Sequence, residues 1–326
     1  MSEEPASVRR ILVADLGGTY CRFAQFRLEA SGGLRLVSGT RLETAHIHSQ
    51  DELFVALEES EIGLPSAEAD AVVFAVPGAV VGRHIHFANI PWELELDVLD
   101  KAFGVGRVSC INDFLAQALG SRTEAAAKAV EIQPGQWCQD RIQAVIGAGT
   151  GCGMAALIPL KHGGVKPLAS EGGQTAAKFI DPVEQAFARY LCQATGESYV
   201  RVDTVLSGSG LAHLHRFLTD ENLAPAEVAA QLSPEARTTE MFARFYGRAA
   251  RDYALTVLAD GGLCISGGVA AKNPELVQHE AFCREFRDSP TYGEFLAAIP
   301  IRLVRNEHTG LYGAARYGAD RLPPLA

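Results

Sequence analysis

Twice along this chain an apolar run breaks off at a short glycine-rich turn and then resumes as a second strand-like run. ILVADLGGTYCRFAQF, residues 11 to 26, is the first instance, and RIQAVIGAGTGCGMAALIPL, residues 141 to 160, is the second. Apolar runs punctuated in this way read as strand–turn–strand hairpins. Their repetition in a chain of 326 residues predicts a duplicated core of two α/β domains with a cleft between them, because one core rarely serves more than about 250–300 residues. Residues 142 to 160 carry no charge and imitate a membrane span. However, Gly147, Gly149, Gly151 and Gly153 fall at every second position with Thr150 and Pro159 among them, which suits a hairpin and not a lipid-facing helix.

Between the hairpins the pattern alternates. RRILVADL, CRFAQFRL and LRLVSGTRL read as three strands, DELFVALEESEI as a helix, and DAVVFAVPG and RHIHFAN as short strands. RVSCINDFLAQALG passes from strand to helix at Asn112-Asp113, and residues 121 to 140 read as a surface connection. DPVEQAFARYLCQA opens with an aspartate cap, proline at the first helical position and Glu184 three residues after the aspartate, so capping explains Glu184. A long amphipathic stretch through Phe242, Phe245, Tyr246, Ala249 and Tyr253 ends at a double glycine, and GLCISGGVAAKNPEL is strand, turn and helix.

A net charge of −10 with no long single-sign run argues against a nucleic-acid partner, which needs a basic surface. The seven cysteines are scattered and form no CxxC, which argues against a disulfide framework or a zinc cluster and for a reducing compartment. No secretory pattern is read at the start of the chain, so a cytoplasmic location is expected. The pairs His46/His48, His84/His86 and His213/His215 each lack the further ligands that zinc needs. Cys110 and Cys152 read as small apolar fillers.

A turn of Gly17, Gly18 and Thr19 leaves backbone N–H groups uncovered and able to face phosphate oxygens. Asp15, at the end of the strand before it, is placed to hold Mg²⁺ directly or through water. Gly149, Thr150 and Gly151 offer the same backbone chemistry, so the two turns together suit a polyphosphate. The plainer alternative is a pair of tight turns whose glycines supply positive φ. Neither turn is a P-loop, for want of a lysine, and neither has the G-x-G-x-x-G spacing of dinucleotide sites. Asp113 also has two readings: a helix cap, or a carboxylate that accepts the proton of an attacking hydroxyl. Glu171 in SEGGQ is either part of a plain turn or an acceptor for paired hydroxyls.

Taken in order, DLGGTYCRFA, FANIPW, INDFLAQALG, GAGTGCGMA, SEGGQ, VDTVLSGSGL and ISGGVA resemble the bacterial glucokinase family of the actin–hexokinase superfamily, from Ile11 to about Tyr317. The resemblance implies a two-domain actin–hexokinase-like, ribonuclease H-like fold with an interdomain cleft. Its small α/β domain would comprise residues 1–111 and about 306–326, and its large α/β domain residues 112–305. The implied substrates are ATP, with Mg²⁺, and a hexose, most simply glucose. Ala14, Asp15, Leu16, Gly17, Gly18 and Thr19 match the first phosphate loop, Gly149, Thr150 and Gly151 the second, and Gly267 and Gly268 the turn beside the adenosine. Asp113 matches the catalytic base, and Asn89, Asn112, Asp113, Glu171, Gln174 and Asp203 match the positions lining the sugar.

Three positions depart from the family pattern: Tyr20 stands for Asn, Gln174 for His in EGGH, and Asp203 for Glu. They keep another hexose open, because sites built to hydrogen-bond hydroxyls discriminate sharply. A non-catalytic sugar-sensing regulator of the same fold is the alternative of a different class. The retained Asp113 and the absence of an expected DNA-binding segment argue against it. The resemblance also implies a homodimer.

Overall fold

The computed structural model describes residues 8–60, 62–87, 90–104 and 106–323. Residues 1–127 with 308–326 form one compact unit, and 128–307 form a second.

The described residues of the first unit form strands β1 (Arg9–Leu16), β2 (Tyr20–Leu28), β3 (Leu34–Glu43), β4 (Ala71–Val76), β5 (His84–His86), β6 (Glu93–Glu95) and β7 (Val108–Asn112). Five of them make a sheet in the order β3-β2-β1-β4-β7, while β5 and β6 pair separately. β1 runs antiparallel to β2 and parallel to β4, which is parallel to β7. The period of two in β1 sends Leu12, Ala14 and Leu16 into one core with Leu53, Leu57, Leu99 and Phe103. Ile11 and Val13 enter the opposite core with Leu311, Ala314 and Ala315 of the C-terminal helix Thr309–Ala319. A strand buried on both faces reads as a continuous apolar run, which is why Asp15 stands out in it.

The second unit carries β8 (Val130–Gln133), β9 (Gln143–Ala148), β10 (Cys152–Pro159), β11 (Val165–Ser170), β12 (Gly262–Ser266) and β13 (Ile301–Leu303). Their order is β11-β10-β9-β12-β13-β8. β9 is antiparallel to β10 and parallel to β12, and β12 is parallel to β13. Leaving β8 aside, this is the order and orientation of the first sheet, so the echo between the two glycine turns extends to a repeat of whole sheets.

Three sequence expectations are set beside the structure. The first is the domain boundary expected at 111/112; the compact units divide at 127/128. Helix Asp113–Gly120 packs on the C-terminal helix so closely that a Cβ on Gly313 would overlap the Ala116 carbonyl oxygen, so it belongs with the first unit. Second, residues 121–140 are not wholly surface connection: β8 forms within them and pairs with β13. Its buried Gln133 donates Nε2 to the carbonyls of Leu296 (2.8 Å) and Ile299 (2.6 Å), and a four-residue edge strand leaves little periodicity to read. Third, capping is only part of the role of Glu184. Its carboxylate accepts the Ile180 N–H at 2.7 Å, but it is fully buried and also meets Arg248 at 2.8 Å and Arg244 at 2.7 Å. A buried charge of this kind must be paired.

Candidate active site

The first glycine turn joins β1 to β2. The Gly17 N–H donates to the Tyr20 carbonyl at 3.0 Å, and the Gly17 carbonyl accepts from the Thr44 hydroxyl at 2.7 Å. The Thr44 N–H donates to the Thr19 carbonyl at 3.0 Å, so the end of β3 braces the turn. Neither Gly17 nor Gly18 has positive φ; what demands glycine at 17 is the Tyr20 carbonyl oxygen, 2.8 Å from where a Cβ would lie. The plain positive-φ reading therefore fails here. Gly18 and Thr19 are exposed, and their N–H groups donate to no protein group among the described residues.

In the second unit, the turn between β9 and β10 is closed by the Gly149 N–H donating to the Gly151 carbonyl at 2.7 Å. The Gly208 N–H donates to the Gly149 carbonyl at 3.0 Å, and the Cys152 N–H donates to Asp203 Oδ1 at 2.5 Å. A Cβ on Gly151 would lie 2.2 Å from that same carboxylate oxygen, and φ is again not positive at Gly149 or Gly151. The N–H groups of Thr150 and Gly151 donate to no protein group among the described residues. Gly267, at φ 92°, tucks under this turn, since its Cβ would lie 2.6 Å from the Ala148 carbonyl oxygen. The expected nucleotide residues of this unit, Gly149, Thr150, Gly151, Gly267 and exposed Gly268, are thus gathered at the ends of the adjacent strands β9 and β12.

Asp15 shares the face of Ile11 and Val13 and is 8% exposed. Among the described residues its side chain pairs with Arg22 on β2, with Nη1 3.5 Å from Oδ2. Burial raises its carboxyl above the usual carboxylate range, against the opposing pull of the Arg22 guanidinium. A desolvated carboxylate with one long contact is the kind of group a cation relieves. Among the described residues no cluster of three or more His, Cys, Asp or Glu gathers as a metal cage. Mg²⁺ on a nucleotide needs none, because it takes one or two carboxylates together with phosphates and waters.

At the edge of the same sheet, β7 delivers Asn112 and Asp113 to the start of a helix. The cap is Asn112, whose Oδ1 accepts the N–H groups of Phe114 (2.9 Å) and Leu115 (3.1 Å) while Nδ2 donates to the Gly78 carbonyl at 2.9 Å. Asp113 is the first helical residue, half-buried, with Oδ1 accepting the Phe114 N–H at 2.8 Å. The helix cap is therefore Asn112, and Asp113 follows it with its own contact to the Phe114 N–H. Asn89 lies outside the described residues.

Of the residues expected to line a sugar, the second unit carries Glu171, Gln174 and Asp203. Glu171 and Gln174 occupy one tight turn, with the Gln174 N–H donating to the Glu171 carbonyl at 2.9 Å. The Glu171 carboxyl is raised, first by partial burial and then by the negative charge of Asp203. Asp203 has a task beyond the expected one, since one of its oxygens braces the second glycine turn and the other lies 3.6 Å from Arg201. Sequence reasoning missed Thr44 and Arg201. Thr44 follows a ten-residue strand with no local mark of its contact, and Arg201 stands two residues before Asp203 outside any motif.

Among the described residues no helix is long and apolar enough to cross a membrane. The sequence model of a family described as Glucokinase matches residues 12–321. A relative from Stenotrophomonas maltophilia (strain R551-3), named Glucokinase, is 32% identical over 97% of this chain and 96% of its own. A second, from Caulobacter sp. (strain K31), is 32% identical over 93% of each. Among solved structures, a glucokinase from an Antarctic psychrotroph superposes with a TM-score of 0.79 at 26% identity, covering 96% of this chain and 100% of its own. At 21% identity and a TM-score of 0.59, a Streptomyces griseus glucokinase solved with glucose and AMPPNP shares the fold over 95% of this chain and 98% of its own.

Proposed function

Because the chain belongs to the glucokinase family, whose fold is the actin–hexokinase-like one, we propose that it phosphorylates glucose on the 6-hydroxyl with ATP, and that Asp113 takes the hydroxyl proton. The observation that carries this reading is the place of Asp113, a half-buried carboxylate in the first turn of the helix after β7, where Asn112 supplies the cap. The 6-oxygen attacks the γ-phosphorus, the bond from that phosphorus to the bridging oxygen breaks, ADP leaves, and the proton passes to the Asp113 carboxylate. A positioned base of this kind contributes about 10²–10⁴-fold.

The unclaimed N–H groups of Gly18, Thr19, Thr150 and Gly151 suit phosphate oxygens, with Leu16 and Ala14 setting the strand behind the first turn and Gly267 and Gly268 beside the adenosine. Asp15 would hold Mg²⁺, directly or through water; when bound, the ion neutralises charge on the phosphates. Glu171 accepts from sugar hydroxyls, and Gln174, Asn89 and the remaining Nδ2 hydrogen of Asn112 supply further hydrogen bonds. Asp203 acts here mainly by bracing.

In a panel of hexoses with MgATP, glucose should give the highest rate of coupled ADP and sugar 6-phosphate formation. A faster rate with another hexose would transfer the assignment to that sugar, and no sugar phosphate at all would favour a regulator. Asp113→Ala should collapse turnover while calorimetry still detects glucose binding; near-normal turnover would refute the base role. The protein would act in the cytoplasm as a homodimer. Support for the dimer is the outer edge of β11, where exposed Leu168 borders a cavity of about 290 Å³ that also meets Ile158 and Val257. Leu168→Glu should shift the sedimentation coefficient to that of a monomer.

A further inference from the structure

The two sugar-side positions at which the chain departs from the family pattern, Gln174 and Asp203, are reached by one guanidinium. Arg201 Nη1 donates to Gln174 Oε1 at 2.6 Å and lies 3.6 Å from Asp203 Oδ2. The rest of the fork is anchored on Glu197, with Nη2 to Oε1 at 2.5 Å and Nε to Oε2 at 3.4 Å. Glu197 is itself steadied by the Thr204 hydroxyl at 3.1 Å, and hydrogen bonding from Arg201 holds its carboxyl below the usual range. The Arg201 backbone is pinned too, by a β-bridge to Ala176 and by the following Val202 N–H donating to the Thr175 carbonyl at 2.9 Å. A charged side chain anchored at both ends, with its tip between two candidate sugar-site residues, is more than a solvated surface group.

From this geometry we infer that Arg201 is a positioning residue that fixes the Gln174 amide, so that its NH₂ end is the one offered to the sugar, and that holds Asp203 against the second phosphate turn. The inference rests on the reading that Glu171 and Gln174 line a hexose site. A primary amide turns over easily about its last torsion and then presents either a donor or an acceptor. Guanidinium has donors only, so with Arg201 in place the Gln174 oxygen is committed inward. A hydroxyl meeting Gln174 must then accept. An imidazole at this position can donate without such a clamp, so the need for Arg201 is tied to the glutamine. Through Asp203, which accepts the Cys152 N–H, the same guanidinium connects the sugar side to the turn of Gly149–Gly151.

The test is a double-mutant cycle on the full-length enzyme, with steady-state kinetics for glucose at saturating MgATP and a thermal melt for each variant. Arg201→Ala should raise KM for glucose about tenfold with a smaller change in kcat, the size expected when a charge-assisted hydrogen bond to a binding group is lost. In a Gln174→His background the same change should leave KM within about twofold, because coupled residues depart from additivity. Arg201→Lys keeps the charge but not the fork, and guards against loss of folding in the alanine variant; it should raise KM by an intermediate amount. Equal KM penalties in both backgrounds, or a lowered melting temperature with unchanged KM for every variant, would overturn the role of Arg201 in an active enzyme. A wild-type protein that forms no hexose phosphate would instead sink the hexose reading, and this inference with it.

Discussion

The turn after β1 is held by backbone and by the Thr44 hydroxyl, whereas the turn after β9 is held by the Asp203 carboxylate and the Gly208 N–H. Among the described residues both leave two adjacent N–H groups without a protein acceptor, and both need glycine for closeness of approach, not for handedness. They differ in charge as well. The residue before the last of β1 is Asp15, and the corresponding residue of β9 is Gly147. Repeated sheets have therefore supplied the same kind of glycine turn twice, while only the first copy carries an acid at the strand end. Evolution of a shared topology does not require a shared way of bracing it.

The comparison breaks most visibly at Asp15. If only the first turn carries the metal-holding group, Asp15→Asn should cut MgATP-dependent turnover by about 10²–10³-fold, the scale of losing one electrostatic stabiliser of transferring charge. The same substitution should stabilise the ligand-free protein. Because the folded Asp15 pKa lies above its unfolded value, the contribution of this group to stability is fully present below the unfolded pKa and is lost as pH rises through the folded one. Wild type should therefore lose stability relative to Asp15→Asn as pH rises to neutrality. Thermal melts across that range check this, and parallel pH profiles for the two proteins would contradict it.

A smaller effect distinguishes the two kinds of brace. Gly151→Ala meets a side chain and Gly17→Ala meets a backbone carbonyl, and each should destabilise by about 1–3 kcal/mol through overpacking. Adding Asp203→Ala should relieve much of the Gly151→Ala cost, measured as the denaturation midpoint. No single side-chain deletion should relieve Gly17→Ala, and equal costs for Gly151→Ala with and without Asp203 would remove the distinction. The smallest expected change is at Thr44→Val, where losing the hydroxyl to the Gly17 carbonyl should cost about 1 kcal/mol and raise KM for ATP modestly. The rate constant for the chemical step should stay within about twofold of wild type.

Much of this was legible in the chain because strand periodicity and glycine punctuation are local. RRILVADL coincides with β1, and GAGTG sits on the turn it was read as. Which of Asn112 and Asp113 is the cap could not be read from sequence, because both are good cap residues; the hydrogen bonds of Asn112 Oδ1 identify Asn112. What stayed hidden was non-local. Thr44 reaches back to Gly17, Asp203 reaches across to Cys152, and Arg201 gathers Gln174 and Glu197, contacts set by the packing of separate segments. The packing of helix 113–120 stayed hidden for the same reason, since its partner is the C-terminal helix, far away in sequence.

The central proposal is that each glycine turn takes phosphate oxygens of ATP on its uncovered N–H groups. Hydrogen exchange followed by mass spectrometry, on the wild-type protein titrated with MgATP in the presence of a non-phosphorylatable glucose analogue, tests it directly. Protection should appear in peptides covering 17–20 and 149–152 with the same midpoint in ATP. Protection of one turn alone, or of the two at clearly different ATP concentrations, would contradict the account.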